Sequence, residues 1–260
     1  MRPPEPVAFV FGATGYAGAA TVEAASRIDH VSRVVAHVRP GSSRADAVAD
    51  RFRPLGSRVS IDRTPLEPEA MAEALARIAP THVVLCHGTT AARARVESIE
   101  DPYEAVDVGL TRLVVEASRR IEPAPRVVAL SSVGASTSAR SKYLHARGRA
   151  EEVIRSSGLP HTICRAPLFG GPDRPERRNA ENIARIALDP LLTLIGGLGL
   201  TRLRDRYRSM DGAEVAEGLV RSGFHYMTID RVVESDELRR VGVYERERWT
   251  PRSRRDTSRH

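Results

Sequence analysis

Short apolar runs alternate with longer stretches of helical periodicity over the first 167 residues of the chain. The short runs are apolar along their whole length and rich in valine and alanine, which is typical of strands buried on both faces of a parallel sheet. We predict six such strands, at residues 7–11, 33–38, 58–61, 81–86, 126–130 and 161–164. Because the strands alternate with helices, the pattern predicts the α/β class, with a doubly wound parallel sheet.

The longer stretches have apolar residues three and four positions apart, as on one face of a helix. They predict helices over an alanine-rich stretch that ends at residue 28 and over residues 67–78, 103–121 and 141–157. Five residues of the third helix are expected to face inward, namely Val106, Leu110, Leu113, Val114 and Ala117. The loops that follow the strands should surround one cleft, because ligands of parallel sheets bind at the carboxyl ends of the strands.

The pattern becomes weaker after residue 167. We predict helices over residues 176–188, 211–222 and 235–241, the last capped by Ser235 or Asp236, and a late strand over residues 224–229. Residues 1–243 are expected to form a single nucleotide-binding domain, in which residues 168–243 make a small lobe on the substrate side. Residues 244–260 are rich in proline, serine and arginine, and we expect them to form a disordered tail.

Composition and charge narrow the function classes. The 260 residues carry a net charge of +7, and residues 245–260 hold six arginines against three acidic residues. The tail could touch an acidic surface, but it has little aromatic interleaving, so nucleic acid is an unlikely partner. We expect a cytoplasmic protein without membrane spans, since the longest apolar run, residues 191–200, is too short to cross a bilayer. The two cysteines are expected to be reduced core thiols, and no metal site is expected.

A glycine-rich turn follows the first strand. Gly12, Gly15 and Gly18 lie between this strand and an alanine-rich helix, and Thr14 and Tyr16 belong to the same turn. A strand, a glycine turn and a helix in this order are typical of dinucleotide binding in a Rossmann fold, although the GxxGxxG spacing differs from the commonest fingerprint. We expect the turn to hold a pyrophosphate against the N-terminus of the helix, where free N–H groups and the helix dipole favour an anion.

The end of the second strand indicates which dinucleotide is bound. An acidic residue there would bind a ribose hydroxyl and favour NAD, but this chain has Arg39, with Ser42 nearby. A guanidinium can hold a 2′-phosphate, so NADP is favoured over NAD. A solvent-exposed loop arginine is the alternative. Asp62, which follows the third strand, could meet the adenine amino group or cap the region that follows.

Candidate catalytic groups follow the fifth strand. Ser131 and Ser132 end that strand, and Tyr143 and Arg147 lie four residues apart on one face of the next helix. A tyrosine can exchange a proton with a carbonyl or an alcohol if a nearby cation favours its ionised form. A serine hydroxyl can polarise the same oxygen.

Together these motifs resemble the atypical short-chain dehydrogenases/reductases. The segments SSVGASTSARSKYLHARGRAEEVI and HTICRAPLFG are similar in particular to the Tat-interacting oxidoreductase group and its NAD(P)H-binding relatives. The resemblance implies that Tyr143 is the catalytic acid/base and that Ser131 or Ser132 binds the carbonyl. It also implies that Gly88 and Thr89 lie along the path of the nicotinamide ribose.

The chain departs from the family pattern Tyr-x-x-x-Lys, because Arg147 stands at the lysine position. Arginine keeps the positive charge but does not release a proton in practice. We also expect Arg165 and Pro167, which follow the sixth strand, to pack on the nicotinamide side.

Two functions are therefore open. One is an NADP-dependent oxidoreductase that acts on a small carbonyl or alcohol. The other is a regulator that binds NADP(H) without turning it over. A small-molecule substrate and a homodimer are further expectations.

Overall fold

A seven-stranded parallel sheet forms the centre of the molecule. The computed structural model describes residues 5–89, 101–167 and 201–240. The strands are β1 (Val7–Phe11), β2 (Arg33–His37), β3 (Val59–Asp62), β4 (His82–Leu85), β5 (Arg126–Ser132), β6 (His161–Ala166) and β7 (Arg231–Val233). Their order across the sheet is β3-β2-β1-β4-β5-β6-β7. This arrangement confirms the predicted doubly wound α/β fold, and its switch point lies between β1 and β4, where the strand order reverses.

Helices cover both faces of the sheet. They are α1 (Tyr16–Ser26), α2 (Ala45–Phe52), α3 (Pro68–Ile78), α4 (Leu110–Ser118), α5 (Lys142–Arg155), α6 (Thr201–Tyr207) and α7 (Gly212–Phe224), and residues 235–240 are also helical. Local signals set several ends: α3 begins with a proline, and α7 begins with a capping box of Asp211 and Glu214. The helix α2 and the 3₁₀ turn Arg53–Arg58 that follows it were not predicted.

Two apolar layers enclose the sheet. Along β1, Ala8 and Val10 point into the layer shared with α1, α2 and α7, whereas Phe9 and Phe11 point into the layer shared with α3, α4 and α5. This alternation follows from the two-residue period of a strand. Because both faces are covered, the sheet leaves only its strand ends open for a ligand.

The predicted helix 103–121 is not a regular α-helix along its whole length. Residues Tyr103–Gly109 form a π-helix, and regular α-helix begins only at Leu110. Of the five residues expected to face inward, Val114 and Ala117 are buried, whereas Val106, Leu110 and Leu113 are only partly buried. Asp107 and Ser118 are fully buried as well, so two polar residues share the inward face with the apolar ones.

The predicted late strand at residues 224–229 is wrong. Phe224 is the last residue of α7, where its ring stacks on His82 at 3.9 Å, and Tyr226–Thr228 form a 3₁₀ turn. Arg126 fixes this turn by donating hydrogen bonds to the His225 carbonyl (2.8 Å) and to the Thr228 hydroxyl (3.0 Å). The strand forms later, as β7, beyond the residues that this arginine holds.

Several predictions fall on parts of the chain outside the described ranges. These are the helix 176–188, residues 168–200 and 241–243 of the substrate-side lobe, and the arginine-rich tail 244–260. Within the described ranges, none of the helices combines the length and the apolar character that a membrane crossing requires.

Candidate cofactor and catalytic site

The glycine turn after β1 is shaped by close backbone approaches. Gly12 has a φ of +88°, and a Cβ there would lie 2.7 Å from the His87 backbone nitrogen, beyond the end of β4. A Cβ on Gly18 would overlap the Gly12 carbonyl, so Gly18 allows α1 to pack directly on the turn. A side chain at either position would therefore push apart β4, the turn and α1.

Gly15 is the residue that leaves the helix N-terminus open. It is the N-cap of α1, and its own N–H donates to the Gly12 carbonyl at 2.9 Å. Without a side chain, Gly15 neither caps the first turn of α1 nor blocks the approach to it. The first N–H groups of α1 are thus available to an anion. Tyr16 does not line the cleft at this point, because its ring packs against Gly212 at the start of α7.

A cleft of about 260 Å³ runs along the carboxyl ends of the central strands. It brings together six of the predicted cofactor-binding residues, Gly12, Thr14, Gly15, Arg39, Gly88 and Thr89. Phe11 and His37 form one wall, their rings stacked with centroids 4.8 Å apart. Burial lowers the pKa of His37, so this wall is uncharged near neutral pH.

The two other residues expected beside the adenine half make local contacts. The Asp62 carboxylate accepts hydrogen bonds from the Thr64 backbone N–H and hydroxyl, both at 3.0 Å, and from Arg77 at 3.2 Å. Asp62 thus stabilises the segment directly after β3, but it does not cap the helix that follows, because the N-cap of α3 is Glu67. Its expected contact with the adenine stays a prediction. The Ser42 hydroxyl accepts a hydrogen bond from the Arg44 backbone N–H and stabilises the loop after β2.

A buried ion pair lies beside Gly88 and Thr89. Nη1 of Arg147 is 3.3 Å from Oδ1 of Asp107 and donates a hydrogen bond to the His87 carbonyl at 3.4 Å. The other Asp107 oxygen accepts the Thr89 backbone N–H at 3.3 Å. A Cβ on Gly88 would come within 3.4 Å of both charged groups, so glycine lets the chain after β4 pass over the pair.

Burial and mutual attraction set the charges of this group. Burial opposes the charge on Arg147, but Tyr143, Asp107 and Glu151 outweigh it and raise the Arg147 pKa above its usual value. Burial raises the pKa of Asp107, and the Arg147 charge and the Thr89 N–H pull it back. Burial, aided by Arg147, lowers the pKa of His87 to about 3, so His87 is neutral.

Tyr143 lies at the outer end of the same group. The Arg147 guanidinium carbon is 5.8 Å from the centroid of the Tyr143 ring, one helical turn away on α5. The Tyr143 ring also contacts Tyr103, at a centroid distance of 5.9 Å. Tyr143 is half-buried, whereas Arg147 is nine-tenths buried. Part of the Tyr143 side chain is thus exposed, while Asp107 and the His87 carbonyl hold the cation next to it.

The two serines that end β5 have different surroundings. Ser131 is buried, and its hydroxyl donates a 2.6 Å hydrogen bond to Glu151. Ser132 is half-buried, and its hydroxyl makes only a long contact of 3.5 Å with the Val133 carbonyl. Sequence reasoning left open which serine would bind a carbonyl oxygen. The structure leaves the Ser132 hydroxyl accessible and commits that of Ser131 to Glu151.

Arg165 has a different position from the one expected. Its guanidinium donates to Glu151 at 2.7 and 2.9 Å, to Glu234 at 3.1 Å and to the Ala135 carbonyl at 3.0 Å. An arginine engaged in this way packs on the carboxylates of α5 and of residue 234 rather than on a nicotinamide. Pro167 is buried after β6, next to the segment outside the described ranges.

Sequence reasoning missed Asp107 and Glu151. A signal for Glu151 was present, because Tyr143, Arg147 and Glu151 are spaced four residues apart on one helix face. Asp107 gave a weaker signal, an acidic residue four and seven positions before the buried Thr111 and Val114 on the inward face of the predicted helix. The histidines likewise gave no spacing signal, and the described residues contain no cluster of three His, Cys, Asp or Glu suited to a metal ion.

The cleft has the features that a dinucleotide requires. The glycine turn offers free N–H groups at the start of α1, and the aromatic wall offers an apolar surface. Among the described residues, Nδ1 of His87 and Oγ1 of Thr89 are buried polar atoms without a hydrogen-bond partner. Both residues line the cleft, and unsatisfied buried polar atoms indicate a polar ligand or water at that point.

The sequence matches one family model, described as the NAD dependent epimerase/dehydratase family, over residues 8–225. The sequence matches no curated protein.

Among solved structures, the fold is similar to that of UDP-glucuronic acid 4-epimerase from Bacillus cereus, at 15% identity and a TM-score of 0.63. This match covers 88% of this chain and 77% of that one. The terminal R domain of the myxalamid PKS-NRPS biosynthetic pathway matches at 16% identity and a TM-score of 0.64, over 95% of this chain and 71% of that one.

A protein from Burkholderia xenovorans, described as a short-chain dehydrogenase/reductase, matches at 17% identity and a TM-score of 0.61. This match covers 89% of this chain and 96% of that one. At such low identities these likenesses show the fold. The narrower resemblance to the Tat-interacting group stays a prediction.

Proposed function

The chain belongs to the NAD dependent epimerase/dehydratase family, and we propose that it is an oxidoreductase that uses NADP(H) on a small carbonyl or alcohol. The family and the Rossmann-type sheet support binding of an NAD(P) cofactor. The choice of NADP over NAD, the class of substrate and the type of reaction go beyond what the family supports, and they are our proposal. The cytoplasmic location and the homodimer expected from the sequence stay predictions.

The proposal depends on one observation, the pairing of Tyr143 with the buried cation Arg147 behind the dinucleotide cleft. Tyr143 is half-buried, and the Arg147 guanidinium carbon lies 5.8 Å from the centroid of its ring. Gly88 and Thr89 connect this pair to the cleft, because both line the cleft and contact the Arg147–Asp107 ion pair. The family pattern has a tyrosine and a cation at this spacing, which supports a catalytic role for Tyr143.

Each residue then has a definite task. When bound, the cofactor supplies or accepts the hydride. The Tyr143 hydroxyl gives a proton to the carbonyl oxygen, or takes one from the alcohol in the reverse direction. The Ser132 hydroxyl donates a hydrogen bond to the same oxygen and stabilises the negative charge that develops there. Arg147 keeps a fixed positive charge one helical turn from the phenol, at 5.8 Å from the centroid of its ring. Asp107 and the His87 carbonyl keep the guanidinium in place.

The preference for NADP rests on the residues at the end of β2. Arg39 lines the cleft, next to the His37 and Phe11 wall, and a guanidinium can bind a 2′-phosphate in a bidentate manner. Asp62 on the neighbouring strand β3 is engaged with Thr64 and Arg77. The preference for NADP is therefore supported by an arginine at the end of β2 and by a carboxylate on β3 that already has partners.

The Arg147–Asp107 pair favours a second candidate function, an NADP(H)-binding regulator without turnover. The Asp107 carboxylate compensates part of the positive charge that would otherwise act on Tyr143. It also holds the guanidinium beside Asp107. A protein of this kind would bind the cofactor through the same cleft, but its Tyr143 would exchange no proton.

Turnover of NADPH separates the two functions. We expect the wild-type protein to oxidise NADPH in the presence of a panel of aldehydes, ketones and quinones. Tyr143→Phe should abolish this turnover, because it removes the proton donor, and should leave NADPH binding nearly unchanged. Tyr103→Phe is the matched control, since it removes a hydroxyl from the adjacent ring and should retain turnover.

The outcomes are distinct when fluorescence titration of NADPH accompanies the kinetics. Undiminished turnover in Tyr143→Phe would refute the catalytic role of this residue. Equal inertness of the wild type and Tyr143→Phe, with NADPH still bound, would favour the regulator. Absence of NADPH and NADH binding would contradict both functions.

A further inference from the structure

A chain of ion pairs lies behind the catalytic group and is not used in the proposed reaction. Its centre is Glu151, a carboxylate on α5 that is 1% exposed. Glu151 accepts hydrogen bonds from the Ser131 hydroxyl at 2.6 Å, from Arg165 at 2.7 and 2.9 Å, and from Arg155 at 3.0 Å. A buried carboxylate is stable only with such a full set of donors, so these contacts define its position.

The chain of ion pairs continues from Arg165 into the C-terminal part of the molecule. Nη1 of Arg165 donates to Glu234 at 3.1 Å, and Glu234 also pairs with Arg206 of α6 at 3.1 Å. Glu234 directly follows β7 and precedes the helical residues 235–240. A continuous set of charged contacts thus connects the segment 201–240 to Glu151 on α5.

The same arginine holds the turn that begins at Ser132. Nη2 of Arg165 donates to the Ala135 carbonyl at 3.0 Å, while the Ala135 N–H donates to the Ser132 carbonyl at 3.0 Å. Between them, Gly134 takes a φ of +83°, which closes the turn. The planar guanidinium therefore fixes three neighbours at once: the carboxylate of Glu151, the carboxylate of Glu234 and the turn that carries Ser132.

We propose that Glu151, Arg165 and Glu234 are positioning residues that couple the segment 201–240 to the orientation of Ser132. A shift of Glu234 moves one end of a rigid guanidinium whose other end fixes Ala135. Glu151 keeps Arg165 in the plane in which both contacts can form. The kinetic consequence rests on the proposed function, whereas the coupling itself does not.

Two variants distinguish coupling from a general loss of stability. Glu234→Gln removes the charge that Arg165 meets in the segment 201–240 and leaves Glu151 intact. Asp236→Asn is the matched control: it removes a carboxylate of similar side-chain exposure, 22% against 24%, which pairs with Arg240 instead. A role that is only structural would affect both variants alike.

Amide hydrogen exchange tests the coupling without any need for turnover. In Glu234→Gln we expect about tenfold faster exchange in a peptide that covers residues 131–136, the effect of weakening a charge-assisted hydrogen bond. Asp236→Asn should leave this peptide unchanged. Unchanged exchange in Glu234→Gln, or an equal increase in both variants, overturns the inference.

Steady-state kinetics then tests whether the coupling acts through Ser132. Glu234→Gln should lower kcat for carbonyl reduction about fivefold at unchanged NADPH affinity, and should cost nothing further when Ser132 is already replaced by alanine. If the losses of kcat caused by Glu234→Gln and by Ser132→Ala multiply in the double variant, the coupling does not act through Ser132. A wild-type protein without turnover contradicts the proposed function, and the exchange experiment then decides on the coupling by itself.

Discussion

Removing Arg147 and removing Asp107 should change the pH dependence of the free energy of unfolding in different ways. Arg147→Met keeps an apolar side chain of similar length and leaves Asp107 buried without a cation. Burial already raises the pKa of Asp107, and Arg147 is what mainly pulls it back. In the variant, the folded protein therefore holds a proton on Asp107 that the unfolded chain releases near pH 3.8.

The magnitude follows from linkage. Each pH unit over which only the folded state holds the proton costs about 1.4 kcal/mol of the free energy of unfolding. From pH 3.8 to pH 7 this amounts to at most about 4.5 kcal/mol, and the difference from the wild type is smaller, because burial raises the pKa of Asp107 there too. Because the folded state binds the extra proton, stability falls as the pH rises. The gap between the wild type and Arg147→Met should thus be small near pH 4 and widen towards pH 7.

Asp107→Asn should behave differently, since arginine does not lose its proton in this range. The guanidinium stays buried and charged, and it loses its nearest carboxylate. Breaking a buried pair costs roughly 3–5 kcal/mol, and contacts with Tyr143 and the His87 carbonyl reduce this figure. Because burial raises the pKa of Asp107 in the folded wild type, the loss should stay constant or narrow, and should not widen, as the pH rises from 5 to 8. His87 does not disturb the comparison, because burial lowers its pKa to about 3.

Urea unfolding followed by circular dichroism between pH 4.5 and 8 measures both effects. The quantity to compare is the free energy of unfolding of each variant relative to the wild type at the same pH, so that other titrating groups cancel. A penalty for Arg147→Met that does not change with pH would refute the reasoning. So would a penalty for Asp107→Asn that widens from pH 5 to pH 8.

Two further predictions concern the cofactor and the serines. NADPH should bind more tightly than NADH, as measured by titration calorimetry. Arg39→Asp should erase this preference, because it places a carboxylate next to the 2′-phosphate. Equal affinities of the wild type for NADPH and NADH would contradict the prediction. Ser132→Ala should lower kcat by about 100-fold, in line with the loss of an oxyanion donor. Ser131→Ala should instead lower the melting temperature and largely spare kcat, because it removes a hydrogen-bond donor from buried Glu151. Similar losses of kcat in both variants would argue against a catalytic Ser132 and a structural Ser131.

The sequence by itself determined the architecture, because the signals for strands and helices are local. The apolar runs placed six of the seven strands within one or two residues of their observed positions, and the glycine turn lies between β1 and α1 as expected. The residue types of the candidate catalytic group were also readable. A tyrosine and a cation four residues apart on one helix must share a face, whatever the rest of the fold does.

Only the tertiary structure decided which of these groups are accessible and which are engaged. Ser131 and Ser132 are identical neighbours in the sequence, and it is Glu151, 20 residues away, that occupies one of them. The sequence placed Arg165 after the sixth strand, as a cleft residue, yet it lies within β6 and pairs with Glu151 and with Glu234, 69 residues away.

The same holds for the counter-charge of Arg147. Asp107 lies 40 positions earlier in the chain, on another helical element, and its Oδ1 lies 3.3 Å from Nη1 of Arg147. Periodicity reports which face of an element is apolar, but an ion pair depends on the distance between two elements and on how deeply both are buried. Those quantities exist only after the elements have packed, which is why the contacts that tune the site could not be read from the sequence.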